Sequence, residues 1–408
     1  MSLGFYIILA AQFFSALADN ALLFAAIALL RELHAPNWYT PVLQEFFIVS
    51  YIALAPFVGA FADSISKGRV MFISNNIKLI GCFAMLAGLN PLFAYAIVGF
   101  GAAAYSPAKY GILTEYLAAD QLIAANAWME GTTVFAIILG AIIGGLMLNP
   151  HISAVMTSHI IWLGNIAVAK FAIILITLLY FAAALTNLFI PVTAPDHRLP
   201  RRDPLSLVSD FWHSFMQLWR DPLGQVSLAV TTLFWGAGAT LRLVILTWAI
   251  LILKFNVQQA TQLTAVVAVG IAIGAMIAGR FVKLADSVKV ISTGIVMGIA
   301  VMSMVLVTDP LLAGLLLMII GILGGFFVVP MNALLQHRGH LLMGAGHSIA
   351  VQNFNENLSI LILLGLYALL DRAGQSINTI TLIFGAFISL SMLIIQIHFR
   401  HIDPSHHG

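Results

Sequence analysis

The first thirty residues form one apolar run that contains a charge. Leu3–Leu30 is long enough to cross a bilayer as a helix, which requires about 20 predominantly apolar residues. Asp19 lies in the middle of this run, where an ionised carboxylate facing lipid costs at least ~2.5 kcal/mol. We therefore expect Asp19 to face a protein interior, a water-filled cavity or a cation.

Apolar runs of similar length recur along the whole chain. Its 408 residues are 61% hydrophobic and 8% charged, whereas soluble proteins carry about 25% charged residues. Backbone groups in lipid must be hydrogen-bonded within their own segment, so these runs predict an all-α integral membrane protein. We predict twelve transmembrane helices, at about residues 4–31, 42–62, 70–89, 91–116, 123–148, 164–190, 224–253, 259–282, 289–307, 310–336, 345–370 and 378–399.

An internal repeat relates the two halves of the chain. An offset of 223 residues carries Ala62-Asp63-Ser64 onto Ala285-Asp286-Ser287, and it also carries Gly101 onto Gly324. The same offset carries Asp19 onto Arg242, which is itself buried in an apolar run. A repeat of about half the chain predicts two homologous bundles that each contribute one charge at a matching position.

The repeat also predicts the domain boundaries. Two pseudo-symmetric six-helix halves, residues 1–190 and 223–408, are joined by the linker 191–222, which is rich in proline and arginine. Within the linker, residues 205–219 have apolar side chains at helical spacing, which predicts an amphipathic helix on the cytoplasmic membrane face. Lysine and arginine are concentrated in the predicted loops on the side of the N-terminus, which predicts that both termini are cytoplasmic.

Polar and charged residues inside the predicted helices are the candidate binding residues. A structural ion pair is one interpretation of Asp19 and Arg242. We favour a site for a dipolar substrate, since transporter sites lie at repeat interfaces near the bilayer midplane. Lys78 instead pairs with Asp19 or Glu130 in the simpler interpretation, and Glu130 and Glu356 could bind a cation, relay protons or brace helices. The candidates are Asp19, Asn20, Arg242, Lys109, Lys78, Glu130, Tyr105, Gln352 and Glu356.

The loop between the second and third predicted helices is a candidate gate. Its glycine, aspartate and Gly-Arg pattern resembles the signature loop of the major facilitator superfamily, although the spacing from Asp63 to Gly68 is two residues longer than usual. Asp63 could cap the third helix or pair with a basic group of the other half. The candidate gating residues are Gly59, Asp63, Gly68 and Arg69, together with Asp286 of the degraded second copy.

Four further strings closely resemble the bacterial lysophospholipid transporters of this superfamily. They are residues 19–24, 103–113, 325–336 and 350–353. The resemblance implies an inner-membrane protein that moves lysophosphatidylethanolamine and related lysophospholipids to the cytoplasmic leaflet. It also implies functional coupling to a membrane-associated acyltransferase/acyl-carrier-protein synthetase that re-acylates the product. Membrane lipids would be the other partners.

Two other functions remain open from the sequence. A proton-coupled exporter of amphipathic drugs would use Asp19, Glu130 and Glu356 as proton carriers. A membrane acyltransferase or lipid hydrolase would need a His/Asp or Ser/His pair at a membrane rim, and the sequence offers no convincing pair, so we expect no enzyme activity. We expect no metal, cofactor or nucleic acid, and no ATP drive, because a Walker loop is missing. His337, His340 and His347 are expected in a solvated turn.

Overall fold

The computed structural model of the chain describes residues 2–36, 38–148, 168–193 and 203–399. These residues form thirteen α-helices with short 3-10 turns and contain no strand. The helices are α1 (Leu3–Glu32), α2 (Tyr39–Ser64), α3 (Lys67–Leu86), α4 (Pro91–Tyr116), α5 (Leu122–Met147), α6 (Val168–Asn187), α7 (Pro204–Arg220), α8 (Pro222–Leu251), α9 (Val257–Phe281), α10 (Ile291–Ser303), α11 (Pro310–Leu342), α12 (Ala345–Arg372) and α13 (Ile377–His398).

The helices confirm the predicted all-α membrane fold. Eleven helical segments in the described ranges are long and apolar enough to cross a bilayer. Helix α4 coincides with the remaining predicted span, 91–116. Helix α7 is the linker helix, and the preceding part of the linker, residues 194–202, lies outside the described residues, as does the predicted start of the sixth span.

The chain divides into two compact units. The first contains Met1–Glu115, Phe135–Phe211 and Ala345–Ala350, and the second contains Tyr116–Val134, Trp212–Gly344 and Val351–Gly408. Each unit takes most of its residues from one half of the sequence and a short helical piece from the other half. The division into halves at 1–190 and 223–408 remains a prediction.

A core of small and apolar side chains packs α1 against α3, α4 and α6 in the first unit. Ala18, Ala21 and Ala25 of α1 are fully buried in this core, as is Tyr180 of α6. Membrane helices associate largely through van der Waals packing, and small residues at the contact let their backbones approach closely. This packing places the middle of α1, which carries Asp19, beside α3 and α6.

Glycines bring α9 and α11 into backbone contact in the second unit. Gly270 and Gly274 of α9 face Gly321 and Gly325 of α11, and each pair is spaced four residues apart along its helix. A Cβ atom on Gly274 would overlap the carbonyl oxygen of Ile322, which is backbone and cannot rotate away. The two helices can therefore keep this separation only with glycine at the crossing.

We expect Gly274→Ala to destabilise the protein by about 1–3 kcal/mol, because the added methyl group must push α9 away from α11. The matched control is Gly314→Ala on α11, where an added Cβ has no atom within 4 Å. Alanine favours a helix over glycine by about 0.5–1 kcal/mol, so the control should be neutral or stabilising. Thermal unfolding of the purified variants measures both effects, and equal midpoints would contradict the packing argument.

Candidate functional site

Asp19 is held by two side chains from neighbouring helices. Its Oδ1 and Oδ2 accept hydrogen bonds of 2.9 and 2.8 Å from the Nζ atom of Lys78 on α3. Tyr180 of α6 donates its hydroxyl to Oδ1 at 2.6 Å. The Lys78 side chain is fully buried, whereas 23% of the Asp19 side chain is exposed. The carboxylate is thus the accessible member of a compensated ion pair.

Lys78 lies in a polar and aromatic cage. Its Nζ atom donates to Ser15 Oγ at 3.0 Å and lies 4.8 Å from the centre of the Tyr105 ring and 5.6 Å from the Tyr180 ring. Gly101 of α4 leaves room for the lysine stem, since a Cβ there would lie 2.6 Å from Lys78 Cγ. The cage keeps the ammonium group behind the carboxylate and away from the exposed surface.

The structure therefore assigns the cation that pairs with Asp19. Of the alternatives that the sequence left open for Lys78, pairing with Asp19 is confirmed. Being fully buried, Lys78 reaches no ligand in this conformation. Tyr180 was not among the candidate residues, because its predicted helix also carries the hydroxyls of Thr177 and Thr186 and nothing in the sequence distinguishes it from them.

Arg242 lies on an exposed face of α8 in the second unit. It forms no ion pair among the described residues, and Gly238, one turn earlier, also faces open space. Arg242 is thus more accessible than its position in an apolar run suggests. Asn20 in the first unit is half-buried and donates its amide to the Ala16 carbonyl at 2.8 Å, as polar residues within helices often do.

The other candidates are buried. Gln352 of α12 donates its amide to Asn332 at 2.9 Å and to Glu356 Oε1 at 2.7 Å, so these three residues form one hydrogen-bonded group. Glu130 of α5 is also buried in the second unit. In the first unit, the Nζ atom of the buried Lys109 lies 4.6 Å from the centre of the Tyr110 ring.

A second pair of amides joins α5 to α11. Asn126 Nδ2 donates to Gln336 Oε1 at 2.8 Å, and Gln336 Nε2 donates back to Asn126 Oδ1 at 2.8 Å. Both side chains are buried in the second unit. Two reciprocal hydrogen bonds satisfy the polar groups that face each other, which is what buried amides require.

Asp63 caps the start of α12. Its Oδ1 accepts hydrogen bonds of 2.7 Å from the backbone N–H of Gly346 and from Lys67 Nζ. Its Oδ2 accepts from the backbone N–H of His347 at 3.0 Å and lies 2.7 Å from the His347 ring Nδ1. The first backbone N–H groups of a helix lack partners within the helix, and a carboxylate placed there is also favoured by the helix dipole.

This geometry decides between the two roles that the sequence allowed for Asp63. It caps α12 and contacts a basic group of the C-terminal half, His347, rather than capping α3. The expectation that His347 lies in a solvated turn is wrong, because the residue belongs to the first turn of α12 and its side chain is 11% exposed. A Cβ on Gly346 would lie 2.5 Å from Asp63 Oδ1, so the contact requires this glycine.

Lys67 is the lysine at the centre of this cluster. It is 1% exposed and pairs with Asp63 Oδ1 at 2.7 Å and with Glu115 Oε1 of α4 at 2.9 Å. Arg69, the other basic gating candidate of this loop, is exposed, and the lysine that pairs with Asp63 is Lys67. Glu115 and Lys67 were not among the candidate residues. Glu115 lies at the end of the predicted span 91–116 and Lys67 lies in the predicted loop before the third span, and no sequence signal distinguishes either residue.

The remaining gating candidates are closely packed in the first copy of the repeat and exposed in the second. Gly59 of α2 packs closely on α12, since a Cβ there would lie 3.0 Å from Ala350 Cβ, and Gly68 packs in the same way against Ile190. Asp286 pairs with Lys289 at 2.7 Å in an exposed 3-10 turn. Asp286 of the second copy therefore does not form the buried cluster that Asp63 forms in the first. An exposed pair of this kind contributes little to stability.

We expect Lys67→Met to lower the free energy of unfolding by about 3 kcal/mol, because it leaves the carboxylates of Asp63 and Glu115 buried without their shared cation. The matched control is Arg69→Met, which removes an exposed charge two residues away and should change stability by less than about 0.5 kcal/mol. Thermal unfolding compares the two variants. A larger loss in Arg69→Met would contradict the assigned ion pair.

Known sequences resemble this chain over most of its length. The Major Facilitator Superfamily model matches residues 8–363. The chain is 44% identical over 375 residues to "Lysophospholipid transporter LplT" of Yersinia enterocolitica, covering 92% of this chain and 89% of that protein. It is also 44% identical over 371 residues to the Yersinia pestis (strain Pestoides F) protein of the same name, covering 91% and 87% of the two chains.

Solved structures share the fold. The transporter FucP in the outward conformation gives a TM-score of 0.74 at 14% identity, over 98% of this chain and 99% of that one. The human organic anion transporter MFSD10 (TETRAN) gives 0.71 at 14% identity, over 97% and 100%. At such identities these likenesses concern the fold alone. The chain therefore belongs to the major facilitator superfamily and, within it, to the family of the bacterial lysophospholipid transporters.

Proposed function

We propose that this protein transports lysophospholipids, lysophosphatidylethanolamine among them, across the bacterial inner membrane to the cytoplasmic leaflet by alternating access. The observation that carries the proposal is the 44% identity over 92% of the chain to a protein named lysophospholipid transporter. We further propose that both termini are cytoplasmic and that a membrane-associated acyltransferase/acyl-carrier-protein synthetase re-acylates the delivered lipid.

The partly exposed carboxylate of Asp19 suits the ammonium group of such a substrate. Lysophosphatidylethanolamine carries a phosphate, a primary ammonium and one acyl chain. Asp19 has an accessible edge, and Lys78 and Tyr180 fix its orientation from behind. A fixed acceptor loses little conformational freedom when it binds a donor, so the contact is pre-organised.

Arg242 suits the phosphate. Its side chain is exposed, and a guanidinium binds phosphate through charge-assisted, often paired hydrogen bonds. We propose this role independently of the role of Asp19, so that each can be tested on its own. Asn20, Tyr105, Lys109, Glu130, Gln352 and Glu356 are proposed as further polar residues of the transport path, and Lys78 acts through Asp19.

The cap on α12 is the proposed gate. Asp63 joins α2 to the first turn of α12 through two backbone N–H groups and the His347 ring. We propose that this contact holds one state of the transport cycle and breaks in another. Gly59 and Gly68 permit the close packing around it, whereas Arg69 and Asp286 have subsidiary roles.

We expect Asp19→Ala to reduce lysophosphatidylethanolamine transport by at least about tenfold, because removing one partner of a hydrogen-bonded charge pair between protein and headgroup costs more than about 1.4 kcal/mol. A leaflet-resolved uptake assay on the purified protein in proteoliposomes measures this. The matched control is Asp371→Ala at the exposed end of α12, which should transport normally. An Asp19→Ala protein that inserts and transports at the wild-type rate would refute the role of Asp19. Mass spectrometry of the incubated lysolipid serves as a check, since chemical change would indicate an enzyme.

We expect Asp63→Ala to shift the balance between transport states. The chain contains one cysteine, Cys82, which is buried, so a reporter cysteine at Gly238 can be labelled against a low background. The labelling rate of Gly238→Cys should change by several-fold when Asp63→Ala is added, and should stay constant when Asp371→Ala is added. An unchanged rate in the Asp63→Ala protein counts against the gate.

A proton-coupled exporter of amphipathic drugs is the second candidate function. One observation favours it: Glu356 is 9% exposed, accepts a hydrogen bond from Gln352, and forms no ion pair among the described residues. A carboxyl group in such surroundings is costly to ionise and could carry a proton. Uptake with and without an imposed pH gradient separates the two functions.

A further inference from the structure

We propose that Lys78 determines how strongly the Asp19 site prefers headgroups that carry an ammonium group. The inference rests on the proposed function, in which Asp19 receives the headgroup. In this inference Lys78 is a positioning residue. It partly compensates the negative charge that Asp19 presents to the headgroup, and it does not itself touch the substrate.

The ion pair presents its negative member, Asp19, to the open side. Lys78 Nζ bridges both carboxylate oxygens at 2.8 and 2.9 Å, and it is fully buried while Asp19 is partly exposed. A headgroup that approaches from the open side therefore meets the carboxylate first and the ammonium of Lys78 behind it. The negative end of the pair faces the headgroup.

The surroundings keep Lys78 in this place. Ser15 accepts a hydrogen bond from the ammonium group, and the rings of Tyr105 and Tyr180 lie within cation–π distance. Tyr180 also donates to Asp19 Oδ1 at 2.6 Å, so that oxygen already has two donors. The carboxylate consequently offers a headgroup mainly its Oδ2 edge.

Compensation by Lys78 weakens the discrimination between headgroups. An uncompensated carboxylate attracts an ammonium group and repels an anionic headgroup with its full charge. The ion pair has no net charge, so both effects are smaller and fall off faster with distance. The wild-type site should therefore bind an ammonium headgroup without strongly rejecting a headgroup that is anionic overall.

Equilibrium binding to the full-length protein in nanodiscs tests this inference, with lysophosphatidylethanolamine and lysophosphatidylglycerol as the two probes. The measured quantity is the ratio of the Kd for the glycerol headgroup to the Kd for the ethanolamine headgroup. Lys78→Met should raise this ratio by about tenfold, because the charge of Asp19 is then uncompensated. Asp19→Asn should lower the ratio, because the charge of Lys78 is then uncompensated. The double variant should return towards the wild-type ratio.

The controls separate tuning from simple structural support. Lys78→Arg retains the charge and should keep the ratio near wild type, as should Lys170→Met, which removes a half-exposed lysine near the start of α6. If Lys78→Met fails to fold, the lower ratio of Asp19→Asn and the near-wild-type ratio of the double variant still test the inference. Equal loss of both affinities in the folded single variants would overturn the inference. Wild-type protein that binds neither lysolipid would instead refute the proposed function.

Discussion

The ion pair between Asp19 and Lys78 is the interaction on which the polar interior of the first unit depends. A lone carboxylate in the middle of an apolar helix is unfavourable unless a cation and hydrogen-bond donors replace water. The structure meets this requirement with side chains from α1, α3 and α6, and it makes room for the lysine stem by placing glycine at position 101. The close packing of small residues around α1 is the condition for this compensation.

The same requirement is met differently at the end of α2. Lys67 compensates Asp63 and Glu115, and the backbone of α12 supplies further donors to Asp63. Asp63 is 2% exposed, whereas Asp19 is 23% exposed. The sealed cluster is suited to holding helices together, and the accessible pair is suited to receiving a ligand. Exposure, rather than the number of charges, distinguishes the two sites.

The sequence predicted the helices well, because each apolar run has the length that a bilayer requires, and it identified Asp19, Lys78 and Asp63 as unusual.

The sequence did not decide which residues pair with Asp19 and Asp63. Lys78 and Arg242 were both plausible partners of Asp19, and Asp63 could cap the third helix or pair with a basic group of the other half, because pairing depends on the rotation and separation of packed helices. His347 was misplaced although the predicted span 345–370 starts where α12 starts, because the sequence does not show that Asp63 contacts this first turn. Tyr180 carried too weak a signal.

The amide pair between Asn126 and Gln336 joins α5 to α11 without any charged group. Each side chain donates to the other, and neither carries a net charge. If α5 and α11 part at this point, water can replace both hydrogen bonds at a small net cost. No charge then crosses the electric field of the membrane, so the free energy of this contact is independent of the transmembrane voltage and nearly independent of ionic strength.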